Sequence, residues 1–321
     1  MNWKLKLSVN KKKFKNVLVV LGGTSGERAI SIESGKACMR ALRQKGYKVS
    51  KFDPKIKNFN LINKKNTDVI FNALHGRDGE DGVAQSYFEY LKIPYTHSGV
   101  VSSYNAMNKI ISKEMFIKNK IKTPKFFSLY KSELKKKTKI IKIVNLKKFK
   151  FPIVVKPVNE GSSLGVEVSK NFKKLFISIN RLFKKYDQLI FEEYIGGQEI
   201  QAAVINGKAL GAIELIPKRS FYDYKAKYTK EAKTKHIMPA KLLSKKYKEV
   251  LQIAKKTHKV LGCRGVTRSD FKFKNGNFYL LEINTQPGMT SLSLVPEIAS
   301  YKGVTFENLV EKILLDASIN R

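Results

Sequence analysis

A short apolar strand that runs into a polar turn near the carboxyl end sets the tightest limit on how this chain folds. Residues 278–281 (FYLL) predict a buried strand, which delivers Glu282 and Asn284 two positions apart. Positions i and i+2 of a strand share one face, so both oxygen-bearing side chains point the same way. A Pro-Gly turn at residues 287–288 then ends the segment.

A second predicted strand, residues 265–271, places Arg268 and Asp270 in the same relation. The two carboxylates and the amide of these strands form an oxygen-rich set that suits Mg²⁺ shared with substrate phosphates. An arginine on the same face suits a phosphoryl group in transfer. Either strand alone would be interpreted as half of a hairpin with solvated charges, but the two strands followed by the turn favour a metal site.

The length of 321 residues and the hydrophobic content of 42% predict a globular chain with two or three domains. No apolar run approaches the roughly 20 residues of a membrane helix, and the lysine-rich start lacks a signal-peptide core. Cys38 and Cys263 are far apart and predict reduced core residues of a cytoplasmic protein. Because no cysteine and histidine spacing matches a zinc site, zinc is not expected.

The formal net charge of +37 makes nucleic acid and anionic membranes partners to consider. The excess is almost all lysine spread along the whole chain, whereas arginine, the better reader of bases and phosphates, is sparse. No RNA-binding or zinc-finger signature accompanies the charge. We therefore interpret it as solvated lysine on exposed faces, and we expect neither a specific nucleic acid nor a membrane as partner.

The first part of the chain alternates between strand and helix patterns. Strands are predicted over residues 16–21, 47–52 and 68–74, and a helix over residues 30–45. Such alternation is typical of a parallel sheet with crossover helices. The sequence therefore predicts an amino-terminal α/β domain.

Two glycine-rich loops follow predicted strands of this domain, where ligands bind to parallel sheets. In residues 22–28 (GGTSGER), Glu27 is placed either to hold a small substrate's ammonium group or simply to begin a helix. A dinucleotide site with Asp53 as the ribose acid is disfavoured, since the glycine spacing does not match. Residues 75–82 (HGRDGEDG) carry His75, which the same sheet edge would bring close to the first loop.

The middle of the chain changes to an α+β pattern after about residue 98. A helix is predicted over residues 105–118 and carries Lys109, and a strand over residues 151–157 carries Lys156. The loop at residues 159–166 (NEGSSLGV) lies between two predicted strands and suits phosphates, with a lysine as a nearby point charge. It is not a Walker loop, because no G-K-[ST] follows.

Acidic residues then follow a predicted strand over residues 188–195. Glu192 and Glu199 are placed to accept hydrogen bonds from an adenine amino group and ribose hydroxyls, and exposed edge carboxylates are the alternative. Residues 220–239 are polar with few core residues and predict a mobile lid. Helices are predicted over residues 244–261 and 306–317.

Taken in order, these motifs resemble the D-alanine–D-alanine ligases of the ATP-grasp superfamily. The resemblance covers the chain from about residue 17 to its end and rests on residues 22–28, 75–82, 156–165, 221–228, 268–270 and 282–294. It implies an ATP-grasp fold in which a parallel α/β domain is followed by two α+β domains that sandwich ATP. The implied divisions are a basic extension (1–15), the amino-terminal domain (16–97), a central domain (98–191) and a carboxyl-terminal catalytic domain (192–321).

The resemblance also implies a reaction. ATP phosphorylates the carboxylate of one D-alanine, the amine of a second D-alanine attacks the acyl phosphate, and D-alanyl-D-alanine forms for peptidoglycan synthesis in the cytoplasm. ATP and Mg²⁺ are the implied cofactors, with two metal ions and Mn²⁺ as a substitute, and the implied assembly is a homodimer. Ligases that use D-lactate or D-serine as the second substrate are the alternative, and Tyr228 in the lid motif goes with D-alanine.

The resemblance assigns roles to individual residues. The metal ligands are Asp270, Glu282 and Asn284. The residues that contact ATP are Lys109, Lys156, Ser162, Ser163, Glu192 or Glu193, Glu199 and Lys227. The residues that bind the two D-alanines are Glu27, His75 and Arg268 for the first, and Ser293, Leu294 and Lys227 for the second. The catalytic groups are Arg268 and the Gly288 N–H at the oxyanion, and Glu27, Ser162 and Tyr228 as a lid latch.

Overall fold

A computed structural model describes residues 13–134, 137–217 and 234–321 of the chain. Its first sheet is parallel, with the order β2-β1-β3. The elements of this region are β1 (Asn16–Val20), α1 (Arg28–Gln44), β2 (Lys48–Phe52), β3 (Val69–Asn72) and α2 (Val83–Tyr90). Four of the five residues of β1 are buried, as expected of a central parallel strand with helices on its faces. The predicted amino-terminal α/β fold is confirmed.

The helix predicted over residues 105–118 is in fact two helices, α3 (Val100–Met107) and α4 (Lys109–Lys118). Asn108 separates them, because its backbone leaves the helical region and its Oδ1 accepts hydrogen bonds from the N–H groups of Ile110 and Ile111, both at 3.1 Å. An asparagine that caps the second helix therefore breaks the apolar periodicity that suggested one.

The second sheet is antiparallel and has the order β4-β7-β5-β6. Its elements are β4 (Phe126–Tyr130), α5 (Lys137–Leu146), β5 (Ile153–Pro157), β6 (Glu167–Ser169), α6 (Phe172–Leu182) and β7 (Gln188–Glu193). Helix α6 buries Leu175, Ile179 and Leu182, one apolar stripe at helical spacing, in the core of this sheet. We call this unit the central sheet.

The third sheet is also antiparallel and has the order β10-β9-β8-β11-β12, and we call it the catalytic sheet. Its strands are β8 (Gln198–Ile205), β9 (Lys208–Ile216), β10 (Lys235–Ile237), β11 (Val266–Lys274) and β12 (Asn277–Asn284). Its helices are α7 (Ser244–Val260), α8 (Leu294–Tyr301) and α9 (Phe306–Leu315). The three sheets follow the order of the predicted domains, whose exact boundaries stay a prediction.

One hydrophobic core joins the first sheet to the catalytic sheet, while the central sheet has a core of its own. Helix α1 packs on α9, and Lys45 and Tyr47 both contact Glu311, at 3.1 Å each. The first sheet and helix α1 are therefore packed against the helices and strands of the catalytic sheet.

Cys38 and Cys263 are both free and buried, as predicted for reduced core residues. Burial raises the pKa of both thiols, so they stay protonated and inert near neutral pH. Within the described ranges, no helix is long and apolar enough to cross a bilayer.

Candidate active site

The predicted metal ligands lie together on β11 and β12. Asp270 pairs directly with Glu282 across the two strands, and Arg268 pairs with Asn284, so all four side chains share one face. The guanidinium of Arg268 donates to both carboxylate oxygens of Asp270, at 2.8 and 3.0 Å. The Oδ1 of Asn284 accepts from the N–H of Gln286 at 2.8 Å, which fixes the amide in place.

This face fits a hard divalent cation. Two carboxylates and an amide oxygen are donors that Mg²⁺ accepts, and Mg²⁺ completes its shell with water and phosphate oxygens. In the described part of the chain, no group of three or more His, Cys, Asp or Glu side chains is arranged to hold a metal. A metal here would therefore depend on Asn284 and on oxygens from a nucleotide as well as on the two acids.

We call the face that carries Arg268, Asp270, Glu282 and Asn284 the metal face. A cleft between the central sheet and the catalytic sheet adjoins it. Apolar side chains, among them Val154, Ile195 and Leu281, line part of it. Its charged and polar lining comprises Lys109, Lys156, Glu160, Ser163, Glu192, Glu193, Tyr194, Glu199, Asp270, Lys272 and Glu282. The structure thus gathers the described members of the predicted ATP-contacting set, except Ser162, around one cleft.

Glu192 is buried between two lysines. The ammonium groups of Lys113 and Lys156 lie 3.1 and 3.0 Å from the same oxygen, Glu192 Oε1. Burial alone would raise the pKa of Glu192, but the two lysines lower it below its ordinary value, so the carboxylate is charged. Glu193, the next residue, is exposed at the rim of the cleft.

Lys109 is the first residue of α4, and its ammonium reaches the floor of the cleft. It donates to the backbone carbonyl of Glu160 and lies 3.7 Å from Glu282 Oε2. Burial lowers the pKa of Lys109, and the charge of Glu282 opposes that effect. Lys109 therefore connects the metal face to the loop at residues 159–166.

Glu199 forms an ion pair that the sequence analysis missed. Its Oε2 accepts from Lys272 Nζ at 2.8 Å, and the two residues are cross-strand partners on β8 and β11. Lys272 continues the alternation begun by Arg268 and Asp270. That spacing of two was the signal that could have identified it.

The loop at residues 159–166 closes over the metal face. Ser162 and Ser163 have φ angles of 48° and 59°, a left-handed backbone that few non-glycine residues adopt outside constrained loops. A Cβ atom at Gly161 would lie 3.1 Å from Glu27 Oε2, so this loop rests directly on the first domain. Ser162 lines a small cavity together with Arg268, Glu282 and Asn284.

Glu27 and His75 lie next to residues that line that cavity, Glu27 beside Gly161 and His75 beside Glu80. Glu27 is buried, and Gly76 leaves room for it, since a Cβ atom at position 76 would lie 2.6 Å from Glu27 Oε2. His75 contacts Glu80 Oε1 through Nδ1 at 2.9 Å and Ser34 Oγ through Nε2 at 3.2 Å. Burial lowers the pKa of His75, but the hydrogen bond and charge of Glu80 and the charge of Glu27 raise it above its usual value.

Glu80 is a site residue that the sequence analysis did not single out. It lines the same cavity as Ser162 and orients His75. The signal for it was its position five residues after His75 in one glycine-rich loop. Asp53, by contrast, pairs with Arg28 at 2.6 Å and accepts from the Gly23 N–H at 3.1 Å, which is a structural role and not the ribose contact of a dinucleotide site.

The loop after β12 carries the last group of predicted residues. A Cβ atom at Gly288 would lie 2.9 Å from Ser293 Oγ, so a larger residue there would displace that hydroxyl. Ser293 Oγ accepts from the Thr290 N–H at 2.9 Å, and Leu294 begins α8. The positive end of the helix dipole at this helix start favours an anion. Lys227 and Tyr228 lie outside the described residues, as does most of the predicted lid.

A cleft between two antiparallel sheets, lined by lysines and by the paired acids Asp270 and Glu282, is typical of an ATP-grasp ligase. Two family models match the chain, "D-ala D-ala ligase N-terminus" over residues 51–98 and "D-ala D-ala ligase C-terminus" over residues 115–315. The chain belongs to the D-alanine–D-alanine ligase family.

Individual relatives agree with this assignment. A D-alanine–D-alanine ligase of Pelagibacter ubique is 53% identical over 307 residues, which are 96% of this chain and 99% of the relative. The crystal structure of a D-alanine–D-alanine ligase from Bacillus anthracis complexed with ATP has a TM-score of 0.82 at 30% identity and covers 94% of this chain and 97% of its own. The VanG D-Ala:D-Ser ligase of Enterococcus faecalis has a TM-score of 0.80 at 25% identity, covering 93% of this chain and 98% of its own.

Proposed function

We propose that the chain joins two molecules of D-alanine into D-alanyl-D-alanine at this site, with cleavage of ATP to ADP and phosphate. The observation that carries the proposal is the cavity lined by Ser162, Arg268, Glu282 and Asn284. It lies between the nucleotide cleft and Glu27, so a small amino acid there has its carboxylate toward the nucleotide and its ammonium toward an anion. The product serves peptidoglycan synthesis.

ATP lies in the cleft between the central and catalytic sheets. Lys109 and Lys156 are placed to bind its phosphates, and the backbone of Ser162 and Ser163 closes over them. Glu199 and one of Glu192 and Glu193 face the adenosine part. Asp270, Glu282 and Asn284 would hold Mg²⁺, which neutralises the charge of the phosphates, and Mn²⁺ would bind the same oxygen donors.

The first half of the reaction activates a carboxylate. Glu27 holds the ammonium group of the first D-alanine, and His75 lies beside it. A carboxylate oxygen forms a bond to the γ-phosphorus while the bond from that phosphorus to ADP breaks, which yields D-alanyl phosphate and ADP. Arg268 stabilises the negative charge on the oxygens of the transferring group.

The second half forms the peptide bond. The second D-alanine binds with its carboxylate at Ser293 and the free N–H at Leu294, the positive end of α8. Its uncharged amine attacks the acyl carbon, the bond from that carbon to the phosphate oxygen breaks, and the departing phosphate takes the proton that the amine loses. Arg268 and the Gly288 N–H hold the oxyanion that forms at the carbonyl oxygen. Lys227 and Tyr228 of the predicted lid, with Ser162, exclude water from the acyl phosphate.

Two copies of the chain associate, and they act in the cytoplasm. Large apolar side chains are exposed on α2 and α3, two helices that contact each other: Val83, Tyr87, Tyr90, Val101 and Tyr104. A patch of this kind suits an isologous contact with a second copy. Sedimentation of the Tyr90→Lys variant against the wild type tests it, because a dimer held by this patch becomes monomeric in the variant.

The deciding experiment for the proposed activity is phosphate release from MgATP by the purified protein with D-alanine, L-alanine or no amino acid. Release that depends on D-alanine, with the dipeptide identified by mass spectrometry, is the expected result. ATP binding without D-alanine-dependent release would overturn the proposed substrate while leaving the nucleotide site in place.

A further inference from the structure

Lys113 is a fully buried lysine that the predicted chemistry does not use. Its Nζ lies 3.1 Å from Glu192 Oε1 and donates to Thr123 Oγ1 at 2.7 Å. Burial lowers the pKa of Lys113 to about 8, although the charge of Glu192 works in the opposite direction. A lysine is rarely buried unless its charge is paired, and the partner of Lys113 is Glu192.

Lys113 contacts the segment at residues 122–125, which joins α4 to β4 and forms hydrogen bonds to both the central sheet and the catalytic sheet. Thr123 Oγ1 donates to the carbonyl of Leu280 on β12 at 2.7 Å, and the Leu280 N–H donates to the carbonyl of Lys122 at 2.8 Å. Three residues further on, the carbonyl of Lys125 accepts from the Glu193 N–H on β7 at 2.9 Å. One short segment therefore bonds to both sheets that enclose the nucleotide.

Lys113 and Lys156 share one carboxylate, that of Glu192. Both lysines lie at hydrogen-bonding distance from Glu192 Oε1, so neither forms an exclusive pair with it. The charges in contact are two ammonium groups and one carboxylate, with Lys109 and Glu282 as the next nearest groups. If Lys113 were absent, the carboxylate of Glu192 would interact with Lys156 alone. It would then attract the Lys156 ammonium more strongly and draw it away from the phosphates.

We propose that Lys113 is a positioning residue for nucleotide binding, which keeps Lys156 available to phosphate by sharing Glu192 and fixes the two sheets through Thr123. It acts through Lys156 and touches no substrate itself. This proposal rests on the proposed use of the cleft for ATP, and it is independent of which amino acid is joined.

The test compares Lys113→Met with Lys118→Met, a matched change at an exposed lysine of the same helix α4. Calorimetry measures the Kd of ADP without any amino acid, and steady-state assays measure KM for ATP and for D-alanine. We expect Lys113→Met to weaken ADP binding and raise the KM for ATP about tenfold, a change of about 1.4 kcal/mol, with little change in the KM for D-alanine. Lys118→Met should match the wild type in all three values.

A double-mutant cycle with Lys156→Met separates positioning from general loosening of the fold. If Lys113 acts through Lys156, its replacement adds less than about threefold to the ADP Kd of the Lys156→Met protein. Full additivity, or an equal rise in the KM values for ATP and D-alanine, would overturn the proposal. Should Lys113→Met fail to fold, Thr123→Val keeps both charges and still removes the hydrogen-bond partner of Lys113.

Thr123→Val is expected to raise the ADP Kd in the same direction by a smaller factor. An unchanged Kd in a folded Thr123→Val protein would overturn the part assigned to Thr123. Because ADP binding needs no D-alanine, a wild-type protein that binds ADP but fails to turn over D-alanine would refute the proposed substrate alone. A wild-type protein that does not bind ADP would overturn both proposals.

Discussion

Asp270 of β11 and Glu282 of β12 face each other directly as cross-strand partners. Two like charges in that relation destabilise a sheet unless something neutralises them. Here Arg268 binds Asp270 through two hydrogen bonds, and Lys109 lies 3.7 Å from Glu282. The charges of the two acids are therefore partly neutralised by these cations, which is compatible with the metal site proposed above.

Replacing Arg268 by alanine should lower kcat about a hundredfold. The guanidinium is held by Asp270 on the same strand, so it is preorganised for the charge that develops on the transferring group, and loss of such a donor costs at least about 2.7 kcal/mol in the barrier. Steady-state kinetics with D-alanine and MgATP measure the loss. Arg40→Ala, at an exposed position of α1, is the control, and a kcat near the wild-type value in Arg268→Ala would refute the role.

Replacing Glu282 by glutamine should weaken metal binding. The amide keeps the shape and removes one of two anionic donors, so we expect an affinity for Mn²⁺, read by electron paramagnetic resonance in the presence of ADP, at least about tenfold lower. Glu114→Gln, an exposed glutamate of α4, should leave the affinity unchanged. Removal of the metal with EDTA should abolish turnover in the wild type, and turnover that persists would contradict the metal assignment.

The paired strands show why this part of the site was predictable from sequence. A side-chain period of two fixes which face Arg268, Asp270, Glu282 and Asn284 share, and no long-range contact is needed to deduce it. The antiparallel register then sets the four side chains opposite one another. The loop at residues 75–82 was predictable for a similar reason, because its three glycines imply special backbone geometry, and the φ angles of 71° at Gly76 and 97° at Gly82 confirm it.

Lys113 shows where prediction from sequence fails. Arginine and lysine together number 63 in this chain, and nothing local distinguishes a buried lysine from the many exposed ones. The environment of Lys113 is created by a tertiary contact with Glu192, on a strand distant in sequence. The break at Asn108 was missed for the opposite reason, because a capping asparagine looks like an ordinary polar position within a helical pattern.

The specificity for the second substrate should change when Tyr228 is replaced by phenylalanine. The resemblance links a tyrosine in this lid motif to D-alanine, so removal of its hydroxyl should allow D-lactate to compete as acceptor. Mass spectrometry of products formed from equal D-alanine and D-lactate measures the ratio of depsipeptide to dipeptide. A ratio identical to that of the wild type would argue against a role for this hydroxyl.

Stability should fall as the pH is lowered from about 6.5 toward 4, and His258 should account for part of the loss. Burial lowers the pKa of His258 to about 4, and its Nδ1 contacts Thr267 Oγ1 at 2.9 Å. The unfolded chain binds a proton at this histidine below about pH 6.5 while the folded chain does not, so protonation favours unfolding in that window by roughly 2 kcal/mol at pH 5.

The His258→Gln variant removes this proton uptake. Its free energy of unfolding, from urea titrations at pH 5 and pH 8, should fall less between the two pH values than that of the wild type. Any packing defect of the glutamine lowers stability at both pH values and cancels in the difference. An equal pH dependence in both proteins would show that His258 titrates normally in the folded state.

The Gly76→Ala variant should impair binding of the first substrate more than its effect on stability explains. Gly76 has a φ angle of +71°, and an added Cβ would lie 2.6 Å from Glu27 Oε2, so the carboxylate must move. Gly303 has a φ angle of +74° with nothing near its missing Cβ, so Gly303→Ala imposes the same backbone strain, about 1 kcal/mol, without the collision. We expect both variants to lose similar stability in thermal unfolding, while only Gly76→Ala raises the KM for D-alanine. If Gly303→Ala raised that KM equally, general strain and not the displacement of Glu27 would be the cause.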